Sequence, residues 1–218
     1  MNYRTVSLFS GIGGLDLGFI KQGFNIIWAN DFDKYAVESY KANIDSNIVY
    51  GDLNNYLEDI PEHDILLAGF PCQPFSLMGK QQGFTDERGT LFFIIEEILV
   101  KHKPKIIVLE NVKNLLTHNN GKTLDKMLKI LTDKLEYDVH YKVLNTSDYG
   151  IPQTRRRVFI VGFLKDEFKE RSKYFCFPKV EQLEKTVFDL LDKFVDKKYF
   201  LSYKILPTIL SNGSKNYY

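Results

Sequence analysis

The sequence predicts an α/β protein built on a mostly parallel sheet with helices on both faces. Three observations indicate this class. Short apolar or β-branched runs alternate with stretches of helical spacing along the first half of the chain. The strand-like runs are apolar at nearly every position, as expected for strands covered on both faces. At 218 residues, with 44% hydrophobic and 26% charged residues, the composition is that of an ordinary globular protein.

The elements of the first half follow from local composition. Because each run is short, apolar and flanked by turn residues, strands are predicted at residues 6–9, 25–29, 48–50, 64–68 and 106–109. Helices are predicted between them at residues 15–22, 34–43 and 91–102. The last helix has a buried stripe formed by Leu91, Ile94, Ile95, Ile98 and Leu99. Strand–helix–strand alternation of this kind indicates βαβ units.

The second half has a different pattern. A helix is predicted at residues 123–135 and strands at 137–144 and 157–163, separated by the turn-rich residues 145–153. We expect these two strands to form an antiparallel hairpin at the edge of the sheet. A last helix is predicted at residues 183–194.

Composition excludes several classes of protein. A net charge of +1 excludes a polybasic protein that holds nucleic acid by bulk charge, although a local basic site remains compatible. Two cysteines make no disulfide framework and are typical of a reducing compartment. No apolar run approaches the ~20 residues of a membrane span, and the first residues resemble no signal peptide. We therefore expect a cytoplasmic protein without a membrane partner, and we predict no metal site.

A glycine-rich turn, residues 9–14, separates the first strand from the first helix. Glycines allow a positive φ and a close approach of ligand to backbone, although a plain tight turn is the alternative. Asp16 stands where a dinucleotide motif has its third glycine, which disfavours a pyrophosphate cofactor. Asp31 ends the second strand, where such folds bind ribose hydroxyls, and Phe32 beside it is suited to stack on a purine. S-adenosylmethionine (SAM) is the cofactor that fits.

Two reactive groups are predicted at one rim of the sheet. Cys72 lies between two prolines, directly after the fourth strand, and the prolines fix the backbone around its thiol. Glu110 ends the fifth strand, so the pair suggests nucleophile and acid roles. The alternatives are a buried structural cysteine and an ordinary strand-end carboxylate. Cys176, in an aromatic strand-like run, is expected to be structural.

Further polar candidates follow other strands. Asp52 follows the third strand, where it is placed to receive an adenine amine, although alone it is an ordinary helix cap. Residues 153–157 carry three arginines, and strand alternation sends Arg155 and Arg157 to one face and Arg156 to the other. A solvated charge run is the alternative here.

Together these segments resemble the DNA (cytosine-5) methyltransferases, above all the bacterial enzymes of restriction–modification systems. The matching segments, in chain order from about residue 6 to residue 191, are FSGIGGLDLGF, NDFDKYAVESY, GDL, GFPCQPFS, RGTLFF, ENVKNL, DYGIPQTRRRVFIVG and FPKV. The resemblance implies a Rossmann-like, SAM-dependent methyltransferase fold and double-stranded DNA as the partner. It implies a catalytic domain at residues 1–195, with 196–218 at most the start of a target-recognition region.

The resemblance also implies a role for each matching residue. Cys72 is similar to the nucleophile that attacks carbon 6 of a flipped cytosine, and Glu110 to the group that holds or protonates ring nitrogen 3. Arg155 and Arg157 match arginines near the base, with Arg157 the nearer to its O2. The implied SAM-site residues are Phe9, Gly11, Gly13, Asp31, Phe32, Asp52, Leu53, Pro71 and Leu91. The implied DNA contacts are Gln73, Ser76, Lys80, Gln81 and Arg88.

The sequence departs from the family pattern in places. The family usually has Glu at the position of Asp31 and often Trp at that of Phe32. Complete members also continue further, which leaves two expectations. One is a catalytic subunit completed by a second polypeptide that supplies the recognition region and a C-terminal helix. The other is a SAM-binding remnant that is inactive without such a partner. An RNA substrate is disfavoured by the Pro-Cys-Gln-Pro form, and a nicotinamide enzyme by the glycine spacing.

Overall fold

Seven strands form one sheet in the order β3-β2-β1-β4-β5-β7-β6. The computed structural model describes residues 3–71, 91–191 and 204–207. The strands are β1 (Arg4–Leu8), β2 (Asn25–Asp31), β3 (Ile48–Tyr50), β4 (Ile65–Gly69), β5 (Ile106–Val112), β6 (Tyr137–Asn145) and β7 (Arg156–Leu164). The helices are α1 (Gly14–Ile20), α2 (Lys34–Asn43), α3 (Leu91–His102), α4 (Lys122–Lys129) and α5 (Lys165–Phe168). The predicted α/β class is confirmed.

The topology places a switch point beside the first strand. Strand β1 pairs in parallel with β2 on one side and with β4 on the other, while β3 and β5 extend the sheet outward, also in parallel. The chain therefore winds in one direction through β2 and β3, and then crosses to β4. In open α/β sheets, ligands bind in the crevice outside the carboxyl ends of the strands at this point.

Local chemistry explains where the helices begin and end. The Asp33 carboxylate accepts the N–H groups of Tyr35 and Ala36 and so caps α2. Gly13, in a left-handed conformation, precedes α1, and Gly23 closes its far end by donating to the Ile20 carbonyl. Helix α3 buries the predicted stripe except for its first member, Leu91, which is half-buried.

The chain forms two compact units. Unit 1 consists of residues 1–142 and 158–175, and unit 2 of residues 143–157 and 176–218. The core of unit 1 lies between the sheet and its helices, with Val6, Leu66 and Ile107 fully buried in the strands. The domain boundary predicted at residue 195 falls outside the described residues and stays a prediction.

One helix predicted in the second half of the chain is wrong. The helix predicted at residues 183–194 is, as far as the described residues extend, a single 3-10 turn at Val187–Asp189. Thr186 and Asp189 form a capping box around this turn. The N–H of Val187 donates to the Lys204 carbonyl, so the backbone is engaged in a contact distant in sequence. The helix predicted at residues 123–135 is confirmed, because α4 continues directly into a π-helical turn, Ile130–Lys134.

Cys176 is exposed and not the structural core residue that its aromatic neighbours indicated. Phe175 and Phe177 on either side are half-buried. The Phe175 ring packs against His140 and Phe163, at centroid distances of 5.4 and 5.2 Å. The Phe175 ring is therefore packed against other aromatic rings while the Cys176 side chain is exposed.

Within the parts of the chain that the structure describes, no helix combines the length and apolar character needed to cross a membrane.

Candidate active site

The glycine-rich turn after β1 is held in an unusual backbone conformation. Phe9, Gly11 and Gly13 have φ values of +54°, +56° and +84°. At Gly13 the lack of a side chain is also a matter of space, because a Cβ would lie 2.1 Å from Cδ1 of Ile44. At Gly11 no described atom lies within 4 Å of a Cβ, so the requirement there is conformational and the turn is open on that side.

Asp31 anchors this turn. One of its carboxylate oxygens accepts the Gly11 N–H at 2.7 Å, and the other accepts the Asp33 N–H at 2.8 Å. The residue is only 7% exposed. Each carboxylate oxygen has a second lone pair, so Asp31 retains the capacity to accept a hydroxyl from a ligand. Sequence reasoning predicted the ligand contact and missed the structural one.

A buried polar network lies beneath the turn. The Ser7 hydroxyl donates to one carboxylate oxygen of Asp16 at 2.6 Å, and the Tyr40 hydroxyl donates to the other at 2.8 Å. Burial raises the pKa of Asp16, and the two hydroxyl donors oppose that rise. Sequence reasoning noted Asp16 only as a missing glycine. The signal that could have found the network is a serine within an apolar strand and an acid within an apolar helix.

The segment after β3 is fixed by a second buried side chain. Asn30, 1% exposed, donates from its amide to the carbonyls of Val49 and Gly51 at 3.1 and 3.0 Å. Asp52 follows and caps the 3-10 turn Leu53–Asn55, with one carboxylate oxygen accepting the Asn54 N–H at 3.0 Å. Leu53 is buried and Asp52 is exposed. The capping role of Asp52 is therefore confirmed, and its adenine contact stays a prediction.

Large apolar side chains are exposed near the carboxyl ends of the first three strands. Phe32, Ile12 and Tyr50 are 70%, 65% and 53% exposed. Ile12 lies in the turn after β1, Phe32 follows β2, and Tyr50 ends β3. Exposed apolar groups beside a polar, glycine-rich turn are typical of a ligand site. Sequence reasoning identified Phe32 and missed Ile12 and Tyr50.

Glu110 lies beside the end of β4. It pairs in register with Gly69, and a Cβ built on Gly69 would lie 3.9 Å from a Glu110 carboxylate oxygen and 3.6 Å from the Phe9 carbonyl oxygen. Gly69 therefore stands between the glycine-rich turn and the carboxylate. This juxtaposition agrees with the prediction that Glu110 lies at the rim from which residues 71 and 72 continue.

Asn111 ties the ends of these two strands together. Its amide donates to the Phe70 carbonyl at 2.8 Å, and its side-chain oxygen accepts the Val112 N–H at 2.8 Å. The side chain is 1% exposed. Asn111 thus fixes the backbone directly before Pro71, which is exposed. Sequence reasoning quoted this residue within a motif but gave it no role.

Several predicted site residues lie outside the described residues. They are Cys72, Gln73, Ser76, Lys80, Gln81 and Arg88. Leu91, the first residue of α3, is half-buried.

The two predicted arginines belong to unit 2. The Arg155 N–H donates to the Thr146 hydroxyl at 3.2 Å, and the Arg155 carbonyl accepts the Thr146 N–H at 3.2 Å. Arg155 and Arg157 are half-buried while Arg156 is exposed, which is the predicted alternation. In unit 1 the structure brings together the glycine-rich turn, Asp31 and Glu110.

Comparison with known proteins supplies the family. The family of C-5 cytosine-specific DNA methylases matches residues 3–217. The chain belongs to this family. The methylase chain is 48% identical over 217 residues to the type II methyltransferase M.HaeII of Haemophilus aegyptius, covering 98% of this chain and 66% of that protein. It is 49% identical over 203 residues to the type II methyltransferase M.NgoBI of Neisseria gonorrhoeae, covering 92% of this chain and 62% of that protein.

The methylase chain also shares its fold with solved structures. The Dnmt2 methyltransferase of S. pombe matches with a TM-score of 0.69 at 22% identity, covering 92% of this chain and 64% of that one. The Entamoeba histolytica methyltransferase EhMeth matches with a TM-score of 0.67 at 24% identity, covering 91% and 62%. The predicted methyltransferase fold is thereby confirmed. The methylase chain spans 66% and 62% of the length of the two curated relatives named above.

Proposed function

We propose that this chain is the catalytic part of a DNA (cytosine-5) methyltransferase of the restriction–modification type. Its reaction transfers a methyl group from SAM to carbon 5 of a cytosine in DNA. The observation that carries the proposal is the position of the Glu110 carboxylate, 3.9 Å from a Cβ on Gly69, where β4 leads into Pro71 and Cys72. Membership of the C-5 cytosine-specific family supports it.

The residues at the carboxyl ends of β1 to β3 fit SAM. The turn at Gly11 is open, the Asp31 carboxylate beside it retains acceptor capacity, and the Phe32 ring is exposed for stacking. When bound, SAM supplies a methyl group activated by its sulfonium. The chain's part is to orient that group, and we assign this to Phe9, Gly11, Gly13, Asp31 and Phe32, with Asp52, Leu53, Pro71 and Leu91 as further contacts.

We assign the nucleophile role to Cys72. Its thiolate adds to carbon 6 of cytosine, which turns carbon 5 into a nucleophile able to accept the methyl group. Loss of the carbon 5 proton and departure of the thiolate then restore the aromatic ring. A thiol with a pKa of ~8.5 is only about 3% thiolate at pH 7, so positive charge near Cys72 assists the step.

Glu110 is assigned to nitrogen 3 of the same base. A proton held there disperses the negative charge that builds up as the thiolate adds. Arg155 and Arg157 are assigned to the base as well, with Arg157 the donor to its O2. The target atoms are stacked within a duplex, so the cytosine must be flipped out before reaction. Gln73, Ser76, Lys80, Gln81 and Arg88 are the proposed contacts with the DNA.

Target recognition is assigned to sequence beyond the matched part of the relatives, supplied by the same polypeptide or by a second one. A chain with a net charge of +1 has little general attraction for phosphates. Specific DNA interfaces bury roughly 1,000–2,500 Å² of protein surface. We expect weak, salt-sensitive DNA binding and little turnover from these 218 residues alone. We also propose a cytoplasmic location, which is where a restriction–modification methyltransferase meets bacterial DNA.

Methyl transfer from labelled SAM to duplex DNA tests two proposals: that the chain is a methyltransferase, and that other sequence supplies target recognition. The assay is run with the purified chain, alone and together with the product of the adjacent gene. Activity that requires the second protein supports a catalytic subunit that is completed by a second polypeptide. Robust methylation of one defined sequence by the chain alone would show that recognition is not supplied elsewhere. A chain that binds SAM and methylates no DNA in either arm would favour the inactive remnant.

A trapped adduct tests the nucleophile. Duplex DNA with 5-fluorocytosine cannot release the enzyme after methyl transfer, because fluorine replaces the departing proton. With any recognition partner present, we expect a covalent complex that maps to Cys72 and is lost in Cys72→Ser. Cys176→Ser is the matched control and should form the adduct normally. An adduct that survives Cys72→Ser, or that maps to Cys176, would overturn the assignment.

A further inference from the structure

A chain of buried hydrogen bonds runs beneath the glycine-rich turn. The Ser10 hydroxyl donates to the Ser7 hydroxyl at 2.9 Å, and Ser7 donates to Asp16 at 2.6 Å. Tyr40 donates to the other Asp16 oxygen at 2.8 Å. Ser7, Asp16 and Tyr40 are 1%, 0% and 0% exposed. The four residues come from the turn, β1, α1 and α2, so the chain links the turn to one strand and two helices.

The acid at the centre of this chain is costly to bury. A carboxylate removed from water costs several kcal/mol unless it is well paired, and the two side chains that donate to Asp16 are neutral hydroxyls. An apolar residue would satisfy the packing of α1 without that cost. Asp16 offers what an apolar residue lacks, which is acceptors for two hydroxyls at once. The two donors then have fixed directions, and the Ser7 oxygen is left to accept from Ser10.

Both ends of the turn depend on this chain. Ser10 lies near the start of the turn. Its N–H donates to the Asn30 carbonyl at 3.0 Å, and its carbonyl accepts the Gly13 N–H at 2.9 Å. At the other end, ring carbons of Tyr40 lie 2.9 Å from the place of a Cβ on Gly13. The chain therefore holds Ser10, near the start of the turn, by a hydrogen bond and contacts Gly13, near its end, by packing.

We propose that Asp16, acting through Ser7 and Tyr40, is a positioning residue that fixes the glycine-rich turn in the conformation that binds the cofactor. The identity of that cofactor as SAM rests on the proposed function. The fixing of the turn does not, because it concerns only contacts within unit 1. Preorganisation of this kind raises affinity, since the turn then loses less conformational freedom when a ligand binds.

Three substitutions interrupt the chain at different links. Tyr40→Phe and Ser7→Ala each remove one donor to Asp16. Asp16→Asn keeps the shape but replaces one acceptor by an N–H donor, so one hydroxyl loses its acceptor. The matched control is Tyr137→Phe. Tyr137 is equally buried, at 1% exposure, and donates to the Pro104 carbonyl at 2.6 Å, without a link to the turn.

SAM affinity measured by calorimetry gives the first readout. We expect Tyr40→Phe and Ser7→Ala to weaken SAM binding roughly tenfold, because each removes a buried hydrogen bond to the Asp16 carboxyl group. Tyr137→Phe should lower the melting temperature while leaving SAM affinity unchanged. In the reconstituted enzyme, the KM for SAM should rise while kcat changes little. Unchanged affinity in both Tyr40→Phe and Ser7→Ala would overturn the proposal.

Hydrogen exchange without SAM gives a readout independent of the cofactor. The Gly11 and Gly13 amides should exchange roughly tenfold faster in Ser7→Ala and Tyr40→Phe than in Tyr137→Phe. If the wild type binds no SAM, the proposed function fails and this exchange alone decides whether the turn is fixed by Asp16. Exchange that stays at the wild-type rate at both glycines would refute the positioning role. If Asp16→Asn does not fold, the other two variants decide the question.

Discussion

Replacing Gly13 by alanine should destabilise the protein through two separable effects. The φ of +84° at Gly13 lies in the left-handed region, where alanine costs about 1–2 kcal/mol. A Cβ would also lie 2.1 Å from Cδ1 of Ile44 and 2.9 Å from ring carbons of Tyr40. The Ile44 methyl can rotate away, whereas the hydrogen bond to Asp16 holds the Tyr40 ring in place. Overpacking therefore adds about 1–3 kcal/mol.

Gly11→Ala is the matched control. Gly11 has a φ of +56°, and no described atom lies within 4 Å of a Cβ there, so alanine carries the conformational cost alone. Thermal unfolding of both variants isolates the steric part. In a protein of this size 1 kcal/mol corresponds to about 2–4 °C in Tm, so Gly13→Ala should melt at least ~2 °C below Gly11→Ala.

Equal melting temperatures for the two variants would refute this reasoning. That result would mean that Ile44 and Tyr40 both move aside without cost. A further variant, Ile44→Val in the Gly13→Ala background, removes the nearest atom. It should recover part of the loss and leave the part caused by the Tyr40 ring.

Three other predictions follow from buried and exposed groups. Burial lowers the pKa of His63 from 6.5 to about 4, so only the unfolded chain takes up a proton between these values. Stability should fall by about 3 kcal/mol from pH 6.5 to pH 4. His63→Asn, which keeps a donor for the Pro61 carbonyl, should show a shallower fall in urea unfolding, and equal slopes would contradict the assignment. Asn111→Ala leaves the Phe70 carbonyl without its side-chain donor and should lower the free energy of unfolding by about 1–3 kcal/mol. The control is Asn114→Ala, at an exposed position. Equal melting temperatures for the two variants would contradict this prediction. Cys176 is exposed, so iodoacetamide should label it in the folded protein, as mass spectrometry would detect, and protection until unfolding would show it to be buried.

The sequence was sufficient for the parallel part of the sheet because its signals are local. Each strand from β1 to β5 is a short apolar run between turn residues, and α2 has its predicted bounds because Asp33 caps it. The same local logic failed at residues 183–194. There the N–H of Val187 is taken by the Lys204 carbonyl, a contact between residues far apart in sequence that a helical period does not register.

The sequence was sufficient to predict where the site residues lie, but not which groups they bind within the protein. Strand ends identify Asp31 and Glu110, because parallel strands bring their carboxyl ends to one edge of the sheet. The second function of Asp31, as an acceptor for the Gly11 N–H, depends on the exact path of the turn. The pairing of Asp16 with Tyr40 joins residues 24 positions apart. Only the three-dimensional fold, which brings these two side chains together, reveals that pairing.

The position of Gly69 has a consequence for substitutions at that residue. Gly69 separates the Phe9 carbonyl from the Glu110 carboxylate, and a Cβ there would meet both at ordinary van der Waals distance, 3.6 and 3.9 Å. An alanine is therefore compatible with the fold. Its methyl group would lie between the glycine-rich turn and the Glu110 carboxylate and contact both without displacing either. Residue 69 is therefore a position where the contact between the turn and Glu110 can be changed by a single methyl group while the backbone pairing of β4 with β5 is kept.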